Sequence, residues 1–415
     1  MPAPGAGTPP TRAPGARVRA VIVDDSRLMR GIIKAALEAE GDVETVGLAG
    51  NVAEGRRLIK ETDPDVVTLD VEMPGMNGLE FLEKIMTLRP TPVVMVSSLT
   101  AAGADATLAA LSIGAVDVVR KPNGPDPMGA FGQELREKVR MAARAQVRRA
   151  APQRPPPLRQ AQPAGAARRP AVPMQPPNPP PRAAAPPVET SPPLPDAPLN
   201  QVAASSPLET GAGGGWKRAL IAIGSSTGGV GAIAELLEGL PPDLPPVVIT
   251  QHMPEGYTAR FARRLCDKFG RDVAEARDGE ALRPGMVRIA PGARHMEIQA
   301  TAGRLTTRLG SSETVSGHCP SVDVLFGSVS RAAGPAAVGV ILTGMGRDGA
   351  AGLRAMRGAG AATLGQSERT CVVYGMPRAA RELGAVEEEH DLDRLAARIT
   401  DFARTAPSRR AALGS

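Results

Sequence analysis

From Val18 onward, short apolar runs alternate with stretches of helical periodicity, five times in about 125 residues. Val18 to Val23, Val43 to Leu48, Asp65 to Leu69, Pro92 to Val96 and Ala115 to Val119 read as buried strands. Leu28 to Ala39, Val52 to Glu61, Leu79 to Leu88, Ala104 to Ala110 and Met128 to Ala145 read as the helices that follow them. A strand that is apolar on both faces must be covered on both faces. Helical crossovers of this length bring the strands back in parallel and supply that cover. The alternation therefore predicts a five-stranded parallel α/β domain over residues 18–140.

A second α/β domain is expected over residues 216–405. Ala219 to Ile223, Val247 to Thr250, Val287 to Ala290, Ala337 to Thr343 and Ala361 to Leu364 read as its strands. Val230 to Glu238, Thr258 to Lys268, Val322 to Ala332, Gly349 to Arg357, Pro377 to Leu383 and Leu392 to Arg404 read as its helices. Ile298 to Arg308, with Ala302-Gly303 inside it, reads as a β-hairpin insert in this doubly wound domain.

Between the two domains, the linker is expected over residues 141–215, of which 146–215 carry no periodic apolar stretch. Nineteen of the chain's 42 prolines fall between positions 151 and 210, so the composition is that of a flexible, partly polyproline-II linker. Residues 1–17 and 406–415 read as disordered tails. The net charge of +6 at first suggests nucleic acid as a partner. Residues 144–210 hold eight Arg against one Asp and two Glu, which places most of that excess in the linker. Aromatics are only 2% of the chain, too few for base-stacking platforms. No nucleic-acid partner is expected. No apolar run of about 18 residues offers a membrane span, and the first residues lack the apolar core of a signal peptide. The three cysteines, Cys266, Cys319 and Cys371, have no metal-ligand spacing and read as reduced thiols, consistent with a cytoplasmic location.

The chemistry gathers at strand ends. Asp24 and Asp25 close the first strand and Asp70 closes the third. Ser97 follows the fourth strand and Lys121 the fifth. In a right-handed parallel sheet these ends share one edge. Three carboxylates crowded there suit a hard cation such as Mg²⁺. A carboxylate beside that cation can attack a phosphoryl group, with Ser97 and Lys121 holding the phosphoryl oxygens. Singly, each aspartate is equally a turn residue or a helix cap. Together, VDDS, LDVEMPGMNG, VVMVSS and KP resemble the response-regulator receiver family, which has a flavodoxin-like fold. The resemblance implies phosphorylation at Asp70, Mg²⁺ held by Asp24, Asp25 and Asp70, and signalling through Ser97 and Lys121.

In the second domain the strand Ala219 to Ile223 runs into Gly224-Ser225-Ser226-Thr227-Gly228-Gly229 and then a helix. This G-x-S-x-G on a strand–turn–helix lifts a serine above the sheet edge. A phosphate loop and a plain tight turn are the competing readings. His252 follows the next strand, and Asp348 lies beyond the strand Ala337 to Thr343. One sheet edge can thus hold Ser226 as nucleophile, His252 as base and Asp348 as its orienting acid, with the Met345 amide aimed at an oxyanion. His295 and His318 compete for the role of base, and Cys319 beside His318 is an alternative nucleophile.

IGSSTGG, ITQHMP, APGARHME, GHCPSVDVLF and ILTGMGRDGA resemble the protein-glutamate methylesterase domain of bacterial chemotaxis. With the receiver ahead of it, the chain resembles the CheB family. That resemblance implies hydrolysis of glutamate methyl esters on chemoreceptors, deamidation of selected receptor glutamines, and a chemotaxis-type histidine kinase as phosphodonor. It also implies Mg²⁺ for receiver phosphorylation and no cofactor for ester hydrolysis. The linker is longer and richer in Pro than is usual for that family. The segment after Phe402 shows no receptor-like docking peptide. Other readings remain open at this level: a receiver coupled to a nucleic-acid-binding module, an idle scaffold that docks receptors, and an esterase for another methyl ester.

Overall fold

The first five strands are β1 (Val18–Val23), β2 (Val43–Ala49), β3 (Val66–Asp70), β4 (Val93–Ser97) and β5 (Asp117–Arg120). They alternate with the helices α1 (Arg27–Glu38), α2 (Val52–Thr62), α3 (Gly78–Leu88), α4 (Ala101–Ile113) and α5 (Ala130–Ala142). The structure, a computed structural model, describes residues 16–73, 78–97, 101–122, 129–147, 219–301 and 303–413. The expected amino-terminal tail up to residue 15, the Pro-rich stretch 148–218 and the Pro74 to Asn77 part of the LDVEMPGMNG motif lie outside the described residues.

The first sheet is wholly parallel with strand order β2-β1-β3-β4-β5. The order reverses direction between β1 and β3, so the crevice at their carboxyl ends is the natural ligand site of such a sheet. Local signals start its helices. Ser26 caps α1 by accepting from the Met29 amide, and Asn51 caps α2 by accepting from Glu54.

The second domain contains β6 (Leu220–Ser225), α6 (Gly229–Gly239), β7 (Val247–Gln251), α7 (Tyr257–Phe269), β8 (Val273–Glu275) and β9 (Val287–Ile289). The hairpin β10 (Met296–Thr301) and β11 (Arg304–Leu309) follows, at the expected place and antiparallel. Then come α8 (Val322–Ala332), β12 (Ala337–Ile341), α9 (Ala350–Gly358), β13 (Ala362–Gln366), α10 (Met376–Glu382), β14 (Glu388–His390) and α11 (Leu392–Leu413). The last helix continues well past Arg404, where the apolar periodicity had suggested that it ends.

Seven parallel strands form the second sheet, in the order β14-β13-β12-β6-β7-β9-β8. Three of these strands, β8, β9 and β14, are three residues long, and of them β8 and β14 escape a periodicity reading. The central strands β12, β6 and β7 are buried throughout. One face packs against α6, α7 and α11, through residues such as Ile233, Phe261 and Ile399. The other face packs against α8 and α9, through Phe326 and Leu353. Gly224 on β6 allows α8 to come this close. A Cβ there would meet Val322 Cγ1 at 2.2 Å and Phe326 Cζ at 3.1 Å.

The two α/β domains belong to one compact unit. Ala104 and Leu108 of α4 join the core cluster that contains α6 and α7. Arg260 pairs with Asp105 at 2.7 Å, and the Gln146 amide donates to the Val372 carbonyl at 3.1 Å.

Phe326 is fully buried between β6 and α9. Phe326→Ala removes a ring where no neighbour can collapse without moving the sheet. It is expected to cost about 3–5 kcal/mol, read as a lower denaturant midpoint for the second domain.

Candidate active site

The strand order puts β6 between β12 and β7, so the loops after these three strands meet at one edge. Ser226 follows β6, His252 follows β7, and Asp348 lies in the turn before α9. Ser226 and His252 are tied through the backbone. The His252 amide donates to the Ser225 carbonyl at 3.1 Å, and Gln251 Nε2 donates to the carbonyls of Ser226 at 2.9 Å and of His252 at 3.1 Å. The Ser226 amide donates to the Thr343 carbonyl at 3.1 Å, which ties the serine turn to the loop beyond β12. Gly344 in that loop has to be a glycine, because a Cβ would lie 2.8 Å from Ser226 Cβ and 2.3 Å from Met376 Sδ.

Asp348 is buried, and its carboxylate is fully engaged. Oδ2 lies 2.8 Å from His252 Nε2 and accepts the Val322 amide at 2.7 Å. Oδ1 accepts the Ser321 hydroxyl at 2.8 Å and the Asp323 amide at 3.0 Å. Two of these donors are the first amides of α8, where the helix dipole favours negative charge. Burial raises the proton affinity of this carboxyl. The His252 bond, the Val322 amide, the His252 charge and the Asp323 amide outweigh it, and the pKa is held down to about 2. The carboxylate stays charged, so Nε2 of His252 carries the proton and donates. The other ring nitrogen, Nδ1, is buried and has no hydrogen-bond partner.

Ser226, His252, His318 and Met345 line a cavity of about 660 Å³. The first domain closes its other side with Asp117, Glu134 and Lys138. Thr227, next to Ser226, donates its hydroxyl to Asp117 Oδ2. Lys138 pairs with Asp117 Oδ1 at 3.1 Å and donates to the Val118 carbonyl at 2.6 Å.

The first domain gathers its carboxylates as expected. One oxygen from each of Asp24, Asp25 and Asp70 lies within 4.8 Å of the others. Asp24 and Asp70 are buried, while Asp25 is exposed. Lys121 Nζ lies 2.7 Å from Asp70 Oδ2 and 3.1 Å from Asp24 Oδ2. The contact with Asp24 is an ion pair without hydrogen-bond geometry, and that oxygen accepts no hydrogen bond among the described residues. Burial pushes the Asp70 carboxyl above the usual range, the Asp24 charge adds to the rise, and Lys121 opposes both. Ser97 is buried at the end of β4, beside Lys121, whose amide donates to the Ser97 carbonyl at 2.9 Å.

Residues 20–130 match the family model of the response regulator receiver domain, and residues 221–399 match that of the CheB methylesterase. The chain is 49% identical over 393 residues to the protein-glutamate methylesterase/protein-glutamine glutaminase 1 of Caulobacter vibrioides, covering 94% of this chain and 98% of that protein. It is 50% identical over 375 residues to the enzyme of the same name from Agrobacterium fabrum, covering 90% of this chain and 93% of that protein. The chain belongs to the CheB methylesterase family. The crystal structure of the Thermotoga maritima CheB methylesterase catalytic domain is 34% identical, covers 44% of this chain and 98% of its own, and gives a TM-score of 0.43.

Within this CheB chain the competing histidines separate by geometry. His295 is buried and uses both ring nitrogens, Nε2 against the Glu313 carbonyl at 2.6 Å and Nδ1 as acceptor for the Ser321 amide at 3.1 Å. It holds the turn that delivers Ser321 to Asp348. His318 stacks on His252, with ring centroids 3.8 Å apart and planes within 10°. Ligand atoms of His252, His318 and Asp348 lie within 4.8 Å of one another. An ion bound by an imidazole lies in the ring plane, and two nearly parallel planes cannot share one. Burial raises the Cys319 thiol above its usual range, which disfavours the thiolate that a cysteine nucleophile needs.

Four contributors went unread in the sequence: Ser321, the α8 amides, Gln251 and Thr227. Ser321 ahead of the apolar run Val322 to Val329 has the form of a helix cap, which was the one available signal.

The Asp348 carboxyl titrates lower in the folded chain than in the unfolded one. Its contribution is therefore complete above about pH 4 and is lost as pH falls through about 2. Asp348→Asn is expected to reduce that acid loss of stability by about 2 kcal/mol, seen by comparing denaturant midpoints of the two proteins from about pH 5 to pH 2.

Proposed function

We propose that this chain is a phosphorylation-controlled protein-glutamate methylesterase that also deamidates glutamines, with methylated chemoreceptors as substrate and a chemotaxis-type histidine kinase as phosphodonor. The observation that carries the reading is the 2.8 Å bond between His252 Nε2 and Asp348 at the rim of the cavity that Ser226 lines. It leaves His252 with one bare ring nitrogen, the form a general base requires. The names of the relatives supply the substrate class.

Ser226 Oγ attacks the ester carbonyl while His252 takes the hydroxyl proton. The imidazolium is held against Asp348. The Met345 amide, in the glycine-rich turn beyond β12, donates to the oxyanion. Collapse breaks the bond to methoxide oxygen, and His252 returns the proton so that methanol leaves. Water then attacks the acyl-serine, His252 takes its proton, and the Ser226 oxygen departs and is reprotonated. The product is the glutamate carboxylate. With a glutamine substrate, ammonia leaves in place of methanol.

The receiver carboxylates fit a hard divalent cation: three oxygens converge, and the buried Asp24 Oδ2 accepts no hydrogen bond among the described residues. Asp24, Asp25 and Asp70 would hold Mg²⁺, which supplies positive charge to a phosphoryl group when bound. Asp70 accepts the phosphoryl group, and Lys121 and Ser97 bind its oxygens. No helix among the described residues is long and apolar enough to cross a membrane.

Ser226→Ala is expected to lower methanol release from methylated receptor by at least about 10³-fold while Asp70 is still phosphorylated. Release at the native rate rejects the nucleophile. Asp70→Asn keeps basal hydrolysis and loses stimulation by a small-molecule phosphodonor such as acetyl phosphate.

The contact from Asp117 to Thr227 keeps the receiver against the cavity. Asp117→Ala is expected to raise unstimulated hydrolysis about 3- to 10-fold and to shrink the further gain on phosphorylation, measured as the ratio of stimulated to unstimulated rate.

A further inference from the structure

The stack of His318 on His252 has no part in the hydrolysis as written above. It is nevertheless an aromatic contact made directly on the base. The two rings face each other at 3.8 Å and within 10°. His318 is itself fixed. Nδ1 lies 3.0 Å from the Ser316 carbonyl, so it carries the proton and donates. The backbone at this turn is closed by paired bonds of 3.0 Å between Val315 and His318. Burial and the His252 charge push the proton affinity of His318 below its usual value, against smaller opposing effects from the Ser316 carbonyl and Asp348. These effects favour the uncharged form of the ring on top of the base.

His252 needs such a neighbour. Asp348 grips one ring nitrogen only, and the other has no partner. A single hydrogen bond fixes a distance, while the imidazole can still swing about it. A second flat ring pressed on its face removes that freedom. When the base is charged, the same ring presents the negative face of its π system to the cation.

Resting on the reading of His252 as the general base, we propose that His318 is a positioning residue for ester hydrolysis. Its stacked ring holds the His252 plane toward Ser226 and lies face-on to the charge that His252 gains in the transition state. The interaction grows as the proton moves, so it acts on turnover more than on substrate binding.

The test compares full-length His318→Leu, which fills space without a π face, with His318→Phe, which keeps the ring. Methanol release from a methyl-esterified receptor cytoplasmic fragment gives kcat and KM. His318→Leu is expected to lose about tenfold or more in kcat with KM within about threefold of native, and His318→Phe to recover kcat to within about threefold. The His252 ring proton resonance loses its ring-current shift in the Leu variant and keeps it in the Phe variant. Circular dichroism and Asp70 phosphorylation check folding, and His318→Gln takes the place of a Leu variant that does not fold. A Leu or Gln variant with native kcat, or a Phe variant as impaired as the Leu or Gln one, overturns the proposal. Ser226→Ala, run alongside, separates the two levels. If it still releases methanol, the hydrolase reading itself fails. If it is dead while His318→Leu is fully active, only the role of His318 fails.

Discussion

A buried carboxylate without donors costs several kcal/mol, and the second domain is arranged around removing that cost at Asp348. Three protein donors converge on it besides His252: the Ser321 hydroxyl and the amides of Val322 and Asp323. They come from the first turn of α8, so the helix must dock its amino end on the turn that follows β12. The Ser321 amide in turn donates to His295 Nδ1, which links the hairpin region to the same point. A continuous line of contacts thus runs from His295 through Ser321 and Asp348 to His252. Each member fixes the next, and the last one is the proposed general base. The low pKa of Asp348 is the electrostatic consequence, since all these contacts favour the charged form.

The sheet supplies the rest of the convergence. Placing β6 between β12 and β7 brings three loops within a few side chains of one another. Two glycines then act by having no side chain: Gly224 admits Val322 of α8, and Gly344 admits Ser226. The G-x-S-x-G pattern therefore has two physical sources here. Its second glycine belongs to the turn, whereas its first is required by helix packing on the face of the sheet.

The long elements were legible because their signal is local. Buried strands of five or six residues and amphipathic helices of about three turns declare themselves by period alone. Strand β9 is as short as β8 and β14 but is buried throughout and was read, whereas β8 and β14 are mostly half-buried and carry no apolar run to read. The placement of Ser226, His252 and Asp348 at adjacent strand ends was also legible, because parallel α/β sheets put chemistry at carboxyl ends. What holds those side chains was not. Ser321 lies 27 residues before Asp348, and Thr227 lies 110 residues after Asp117. No local pattern encodes such pairs. Separating His252, His295 and His318 also required distances, since nothing local to each says which one reaches Asp348.

The same strand that ends in the receiver's lysine begins at the cavity of the second domain. Asp117 opens β5 and bonds Thr227, while Lys121 follows its last residue and pairs with Asp70 and Asp24. On the proposed reading of Asp70 as phosphoryl acceptor, the added group would replace one carboxylate partner of Lys121 with a more highly charged one, so the lysine would move or be held more tightly. A strand of four residues, hydrogen-bonded to β4 along one side only, has few ways to absorb that shift internally. The neutral-to-charged hydrogen bond at its other end is worth about 1.5–3 kcal/mol at most. A contact of that size suits the proposed switch, being strong enough to hold the receiver against the cavity and weak enough for a phosphorylation-driven shift to release it.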